Sequence, residues 1–382
     1  MKITNIRTVM MDACYRGFNI DYLHILVETD EGITGLGEGT NWPGCPMVNT
    51  AIDELKPFLI GADPLDIESI CHHLNKRFHY IGIAGVLPSA ISGVEIALWD
   101  IAGKKAGLPV YKLLGGKAQP EIKVYANYWS PPPKDSVPLD EFATKALEVV
   151  AMGYKAMKYT PFSLPPMMST TGSVPWSEIA KGVKRVAAVR EAVGDDIEIY
   201  LELAGKFDVP TAIKVARTLE PYRIGFIEEP IPPENIAAMV EVRRKSPCPV
   251  AAGERVYGRF GFLPYLEAGA LDILQPDVMR TGGIWELRKI AALAETYHLP
   301  IAPHNAGGAV GTIATLHAAL AMPNFEILEY RIGDVPWRDT VIRPQIEIKN
   351  GIMTVPDAPG LGIEFVEEVA LEHPHIPVTG AQ

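Results

Sequence analysis

The chain has 382 residues, 48% of them hydrophobic, and a formal net charge of −11. That suffices for a large core, as two domains or as one barrel with an attachment. No basic patch or arm is present, which argues against nucleic-acid binding, and no stretch is expected to reach the roughly 20 apolar residues of a membrane span. The opening segment MKITNIRTVMMDA lacks the apolar core of a signal peptide. Cys14, Cys45, Cys71 and Cys248 are scattered without a CxxC pair, as free thiols in a reducing compartment are. The expectation is a cytoplasmic protein with no nucleic-acid or membrane partner.

In chain order, residues 1–40 read as strand, turn, strand. ITNIRTVMMDA is one run, and HILVETDEG followed by ITGLGEG is a hairpin turning at Asp30, Glu31 and Gly32. Two loops, 14–21 and 40–46, interrupt this region, the second carrying Trp42. Helical patterns follow over 48–59, 64–78 and 88–106, the last ending in Lys104, Lys105 and Gly107, as helix ends prefer. Residues 1–120 are therefore expected to form an α+β domain. From 121 to 349 eight short apolar runs alternate with amphipathic helices: KVYANYW, AMKYT, IEIYLEL, GFIEEP, PVAAGE, LDILQPD, PIAPH and FEILEY. This is the pattern of a TIM-type barrel. A long Pro/Ser/Thr/Met loop, 161–176, leaves the second run; loops of this length are functional lids or disordered segments. The pieces QIEIKNG and IMTVPD are expected to return the chain to the first domain, so that 350–382 completes it. The fold class is α/β, a modified TIM barrel (β/α)7β with an α+β capping domain built from both chain ends.

Six chemistry-bearing residues recur at the ends of these runs: Glu202, Glu228, Glu254, Asp277, His304 and Glu329, at steps of 26, 26, 23, 27 and 25 residues. A strand, a loop and a crossover helix need about this length. All six are thus expected at the C-terminal mouth, where active sites of this fold sit. A single Glu at a strand end is most often ion-paired or solvated. Three in register repel one another and call for a hard divalent cation, most simply Mg2+. Glu229, of opposite parity to Glu228, is left out of the metal set. Asp277 next to His304 would fix the imidazole tautomer and make the other nitrogen a general base. Lys158, ending the second run, would face an anionic substrate. Glu329 would donate to an enolate oxygen if protonated, or else pair with Arg331 or Lys158.

The segments SGVEIALWDIAGKKAGLPVYKLLGG, GYKAMKYTPF, LELAGKF, FIEEP, AAGER, ILQPDVMRTGG, IAPHNAGG, ILEY and PDAPGLGIE resemble the enolase superfamily, mandelate racemase/muconate lactonizing enzyme branch, and within it the galactonate-dehydratase-like acid-sugar dehydratases. The resemblance spans nearly the whole chain. It implies that Glu202, Glu228 and Glu254 bind Mg2+, that Asp277 and His304 form a base dyad, and that Glu329 hydrogen-bonds a substrate carboxylate oxygen. It also implies a symmetric homo-oligomer, a dimer or an octamer. Two departures stand out. Where the branch's racemases carry Lys-x-Lys on strand two, this chain has Lys158, Tyr159 and Thr160, and a threonine hydroxyl is no base, so two-base proton transfer is disfavoured. Where the dehydratases carry an acidic His on strand three, Ala204 stands.

The proton for the leaving hydroxyl then has three sources: His304 itself in a syn elimination; a donor such as Lys206, Tyr15, Tyr80 or a residue of the 161–176 loop; or none, in an impaired homologue. Substrate contacts are expected from Thr160, Arg255, Lys206, Trp42 and Tyr80. The function this implies is Mg2+-dependent dehydration of a sugar acid, aldonate or aldarate, to a 2-keto-3-deoxy acid. The alternatives are an isomerase or cycloisomerase on the same platform, and a protein that only binds.

Overall fold

The computed structural model describes residues 1–14, 21–163 and 172–377. Tyr15, most of the loop 14–21, half of the loop 161–176 and the last residues of the tail lie outside the described residues. Strands β1 (Ile3–Asp12), β2 (Asp21–Thr29) and β3 (Thr34–Glu38) form an antiparallel sheet in sequence order. Three helices cover it: α1 (Cys45–Leu59), α2 (Ile67–Arg77) and α3 (Val86–Ala106). Alternate β2 residues Leu23, Ile25 and Val27 pack on Val48 and Ile52 of α1 and on Ile91 and Val94 of α3, while Tyr22 and Leu26 of the opposite face join the larger core that includes the barrel. Contrary to expectation, one helix among the described residues is long and apolar enough to cross a membrane: α3, 21 residues, with an 18-residue window of mean hydropathy 1.3. Its apolar surface runs all round because it lies between the sheet and the barrel, and the molecule itself buries most of it.

After the short helix α4 (Val110–Leu113), the barrel strands are β4 (Ile122–Asn127), β5 (Ala156–Tyr159), β6 (Glu198–Glu202), β7 (Phe226–Glu228), β8 (Val250–Ala252) and β9 (Ile273–Leu274), then a single bridging residue, Ile301, and β10 (Leu328–Arg331). All pair in parallel, and β10 returns to β4, closing the ring. The seventh position shrinks to one residue because Pro300 lacks the N–H a ladder needs, as does Pro303. Helices α5 (Leu139–Ala151), α6 (Trp176–Val193), α7 (Val209–Leu219), α8 (Ile236–Lys245), α9 (Gly258–Ala268), α10 (Ile284–Glu295) and α11 (Ala309–Leu320) follow the first seven strands. None follows β10 before β11 (Ile342–Arg343), which gives (β/α)7β. Inside the barrel, Tyr125, Ala156, Tyr200, Phe226, Ala251, Ala302 and Ile327 form one apolar layer, with Tyr200 and Phe226 stacked at 4.0 Å. This layer plugs the barrel and is the floor on which the mouth stands.

The C-terminal segment departs from expectation. The pieces QIEIKNG and IMTVPD give β12 (Ile348–Lys349) and β13 (Ile352–Met353), a hairpin turning at Asn350 and Gly351, both with positive φ. It pairs with β4 through Ile352 and Lys123 rather than joining the first sheet. Contact with the first domain comes later in the chain: Leu361 N donates to Asp100 Oδ1 of α3 at 2.8 Å, and Glu367 of α12 (Glu367–Glu372) pairs with Arg7 of β1, while β14 (Glu364–Phe365) pairs with β11 in a sheet of their own.

Two buried glutamates of the cap hold it on the barrel. Glu38 accepts from the N–H groups of Gly308, at 2.6 Å, and Gly311, at 2.7 Å, at the start of α11. Glu95 accepts from Ile284 N at 2.7 Å, Trp285 N at 2.8 Å and Trp99 Nε1 at 2.8 Å, so a carboxyl from α3 caps barrel helix α10. Helix N-termini leave just such donors without partners. We predict that Glu95→Ala, which strands three buried donors, lowers the unfolding free energy by about 2–4 kcal/mol, measured by urea denaturation. Retention of wild-type stability would exclude the clamp.

Candidate active site

The mouth is built by a two-residue step up from the floor. Strand side chains alternate, so the residues two beyond the layer, Asn127, Lys158, Glu202, Glu228, Gln275, His304 and Glu329, point into the same space. Glu202 and Glu228 stand opposite each other in register. Glu254 breaks the step: Gly253, at φ 148°, turns the chain after β8, and a Cβ there would lie 2.9 Å from the Gln275 backbone.

The side chains form one connected network. Lys158 Nζ lies 2.6 Å from Glu228 Oε2, 3.4 Å from Glu202 Oε2 and 3.2 Å from Glu329 Oε1. His304 Nδ1 is 2.7 Å from Asp277 Oδ2, and its Nε2 is 2.7 Å from Glu254 Oε2 and 3.9 Å from Glu329 Oε2. Asp277 is in turn fixed by Met279 N at 2.8 Å and faces Arg280 Nε at 3.5 Å. The sequence-predicted residues Lys158, Glu202, Glu228, Glu254, Asp277, His304 and Glu329 are thus brought together.

Among the described residues, three expected substrate contacts, Thr160, Lys206 and Tyr80, make no hydrogen bond or ion pair to this network. Thr160 and Lys206 are half-buried, Trp42 is partly exposed, and Tyr80 is almost fully exposed, its ring tilted 36° against that of His79 with centroids 4.0 Å apart. Alternation does not reach Lys206, because β6 ends at Glu202 and both Ala204 and Gly205 have positive φ. Arg255 is engaged by Glu229, at 3.1 Å (Nε to Oε1) and 2.7 Å (Nη2 to Oε2).

Residue-by-residue reading of the sequence missed Asn127, Gln275 and Arg280. Gln275 Nε2 donates to Glu228 Oε2 at 2.6 Å, Asn127 Nδ2 donates to Glu329 Oε1, and Arg280 lies 3.7 Å from Glu254 Oε2. The same two-residue step would have found the first two. Arg280 lies past the strand, where no periodicity applies.

The electrostatics follow from crowding in a dry site. Burial, then repulsion from Glu202, pushes Glu228 well above the usual carboxylate range, and burial raises Glu202 as well. Burial opposes charge on Glu254 too, but His304 and Arg280 outweigh it and hold that group well below its ordinary value. Burial likewise disfavours the charged forms of Lys158 and His304. Glu228 and Glu329 outweigh it for the lysine, and Glu254 and Glu329 for the imidazole, so both are raised well above their ordinary values. Glu329 falls to about 2, because Lys158 and His304 overcome its burial. It pairs with Lys158 at 3.2 Å and accepts from Asn127 and from Asn305 N at 3.0 Å, which is the ion-paired of the two roles expected for it.

As they stand, no three His, Cys, Asp or Glu groups among the described residues are gathered as a ready-made metal site, since Glu202 and Glu228 turn to Lys158 and Glu254 turns to His304. The donor set nonetheless suits a hard divalent ion. It consists of three carboxylates on neighbouring strand ends, Glu202 and Glu254 half-buried and Glu228 buried, and Glu228 Oε1 is buried with no hydrogen-bond partner.

Comparison with known proteins agrees with this architecture. A family model described as "Mandelate racemase / muconate lactonizing enzyme, N-terminal domain" matches residues 17–115, and one described as "Enolase C-terminal domain-like" matches 141–369. The chain is 36% identical to a D-xylonate dehydratase of Haloferax volcanii, over 95% of this chain and 86% of the relative. It is 34% identical to a D-galactonate dehydratase of Ralstonia pickettii, over 97% and 94%. It is also 34% identical to a D-galactarolactone cycloisomerase of Agrobacterium fabrum, over 97% and 98%. The solved structure of a mandelate racemase/muconate lactonizing enzyme from Sulfitobacter superposes with TM-score 0.92 at 33% identity, covering 99% of this chain and 96% of that one. The chain, with its capped (β/α)7β barrel, belongs to the mandelate racemase/muconate lactonizing enzyme family of the enolase superfamily.

Proposed function

We propose that the protein is a Mg2+-dependent dehydratase of a sugar acid, aldonate or aldarate, yielding a 2-keto-3-deoxy acid. One observation carries this reading: a single imidazole, His304, oriented by Asp277 at 2.7 Å, with Nε2 facing the carboxylate cluster, and with Thr160 in place of a second base across the mouth. The xylonate and galactonate dehydratase relatives support it. Glu202, Glu228 and Glu254 would hold the ion, which when bound supplies Lewis-acid stabilisation to the charge that deprotonation places on the substrate carboxylate. With Glu254 so engaged, Nε2 loses its present acceptor and His304 is available to take the α-proton, with Nδ1–H kept on Asp277. Lys158, held by Glu228 and Glu329, faces the developing enediolate charge. The β C–O bond breaks, and the proton on His304 passes to the departing hydroxyl on the same face, so that water leaves. The enol then tautomerises to the 2-keto acid. Ala204 has no proton to donate and the Thr160 hydroxyl is too weak an acid, which supports the syn course.

The cycloisomerase relative favours a second reading, isomerisation on the same platform. The test is a panel of mono- and diacid sugars incubated with protein and Mg2+. Product mass lower by one water supports dehydration, and conserved mass supports isomerisation. A protein that only binds gives neither product nor exchange of the α-hydrogen with deuterated solvent. His304→Asn should lower kcat/KM at least ~1000-fold, and full activity in that variant would sink the role of His304. Chelation should abolish turnover, and Mg2+ should raise the melting temperature of the parent but not of Glu228→Gln. The reading extends to a cytoplasmic homo-oligomer, dimer or octamer, supported by the exposed apolar side chains of Tyr80, Ile81, Ile83 and Phe260; light scattering at the monomer mass would overturn that part.

A further inference from the structure

The rim of the mouth between strands three, four and five carries a second polar device outside the metal and base set. Glu229 is 1% exposed and holds a left-handed backbone at φ 40°, uncommon for a residue with a side chain. Its carboxylate takes the Arg255 guanidinium in a two-point grip, at 3.1 and 2.7 Å. Its carbonyl accepts from Gly205 N at 2.7 Å. Gly205 is itself left-handed, and a Cβ there would lie 2.0 Å from Arg255 Nη2. Only glycine lets the guanidinium reach this turn. The turn follows Ala204, which has no polar side chain to offer. Arg255 thus lies next to Ala204, where strand three offers no acid. The side chain is 37% exposed, and Nη1 has no hydrogen bond among the described residues.

The charge of this device decides what it can bind. A guanidinium locked bidentately to a carboxylate keeps free N–H donors and offers no net charge. Glu234 adds further negative field around it. Such an edge suits hydroxyl groups, whereas a second substrate carboxylate would find no uncompensated charge on Arg255. We propose that Arg255, neutralised by Glu229 and admitted by Gly205, is a specificity residue that hydrogen-bonds the hydroxylated tail of the substrate and selects aldonates over aldarates. This rests on the sugar-acid reading above and deepens it.

The experiment is calorimetric binding of six-carbon aldonates and the corresponding aldarates to His304→Asn protein with Mg2+, so that affinity is read without turnover. The best aldonate should bind at least ~10-fold more tightly than its aldarate. Adding Arg255→Met should weaken the aldonate at least ~10-fold while the aldarate changes less than about threefold. Glu229→Gln, which restores net charge to Arg255, should shift the ratio toward the aldarate about 10-fold. Arg255→Lys, which keeps the charge but not the fork, checks folding by its melting temperature and should lose part of the aldonate affinity. Preference for the aldarate in the parent, a ratio untouched by Arg255→Met and Glu229→Gln, or no binding of either class would overturn the assignment. A parent enzyme that binds with the expected ratio but releases no water would overturn the reaction and leave this assignment standing.

Discussion

Everything at the mouth depends on how five carboxylates, Glu202, Glu228, Glu254, Asp277 and Glu329, are kept together out of water with Lys158 and His304 among them. Like charges this close are tolerated only when each finds a donor or a cation. The chain supplies a partial answer. Lys158 is shared by three acids, His304 bridges two, and Asn127 and Gln275 fill in with neutral donors. What remains is the raised proton affinity of Glu202 and Glu228 and one orphaned buried oxygen on Glu228. The same residues that balance one another are those the proposed chemistry needs, so local stability and function draw on one set of interactions.

The cap is not an independent lid. Glu38 grips the start of α11 immediately after the His304–Asn305 turn, and Glu95 grips the start of α10 after the Asp277 segment. Asp277 and His304 therefore lie just before a helix whose first turn is held by a cap carboxyl. Movement of the cap relative to the barrel would have to break buried hydrogen bonds at the two loops that carry this pair. This ties the α+β domain to the geometry of the mouth as well as to the shape of the entrance.

The polar surface of the rim is drawn from more than one strand. With Ala204 in strand three's turn, the polar surface there is supplied by strands four and five through Glu229 and Arg255. The barrel permits this because its strand ends converge on one mouth, so a function can move between them without change of fold.

How much of this the sequence itself determined follows from period. The 23–27-residue step and two-residue alternation are set by strand and helix geometry, so the barrel, its closure without a last helix, and the grouping of Lys158, Glu202, Glu228, Asp277, His304 and Glu329 were legible from the chain. Alternation also contained Asn127 and Gln275, unread because amides carry no charge to draw notice. Where the backbone leaves the strand, period ends. The left-handed turns at Ala204 and Gly205, the Gly253 bend that re-aims Glu254, and the turn that sends β12 and β13 to β4 rather than to the cap were decided by tertiary packing. So was the charge on Glu329. A sequence shows that a carboxyl is present, but its ionisation depends on the distances to Lys158 and His304, and those exist only once strands two, seven and eight have closed around one space.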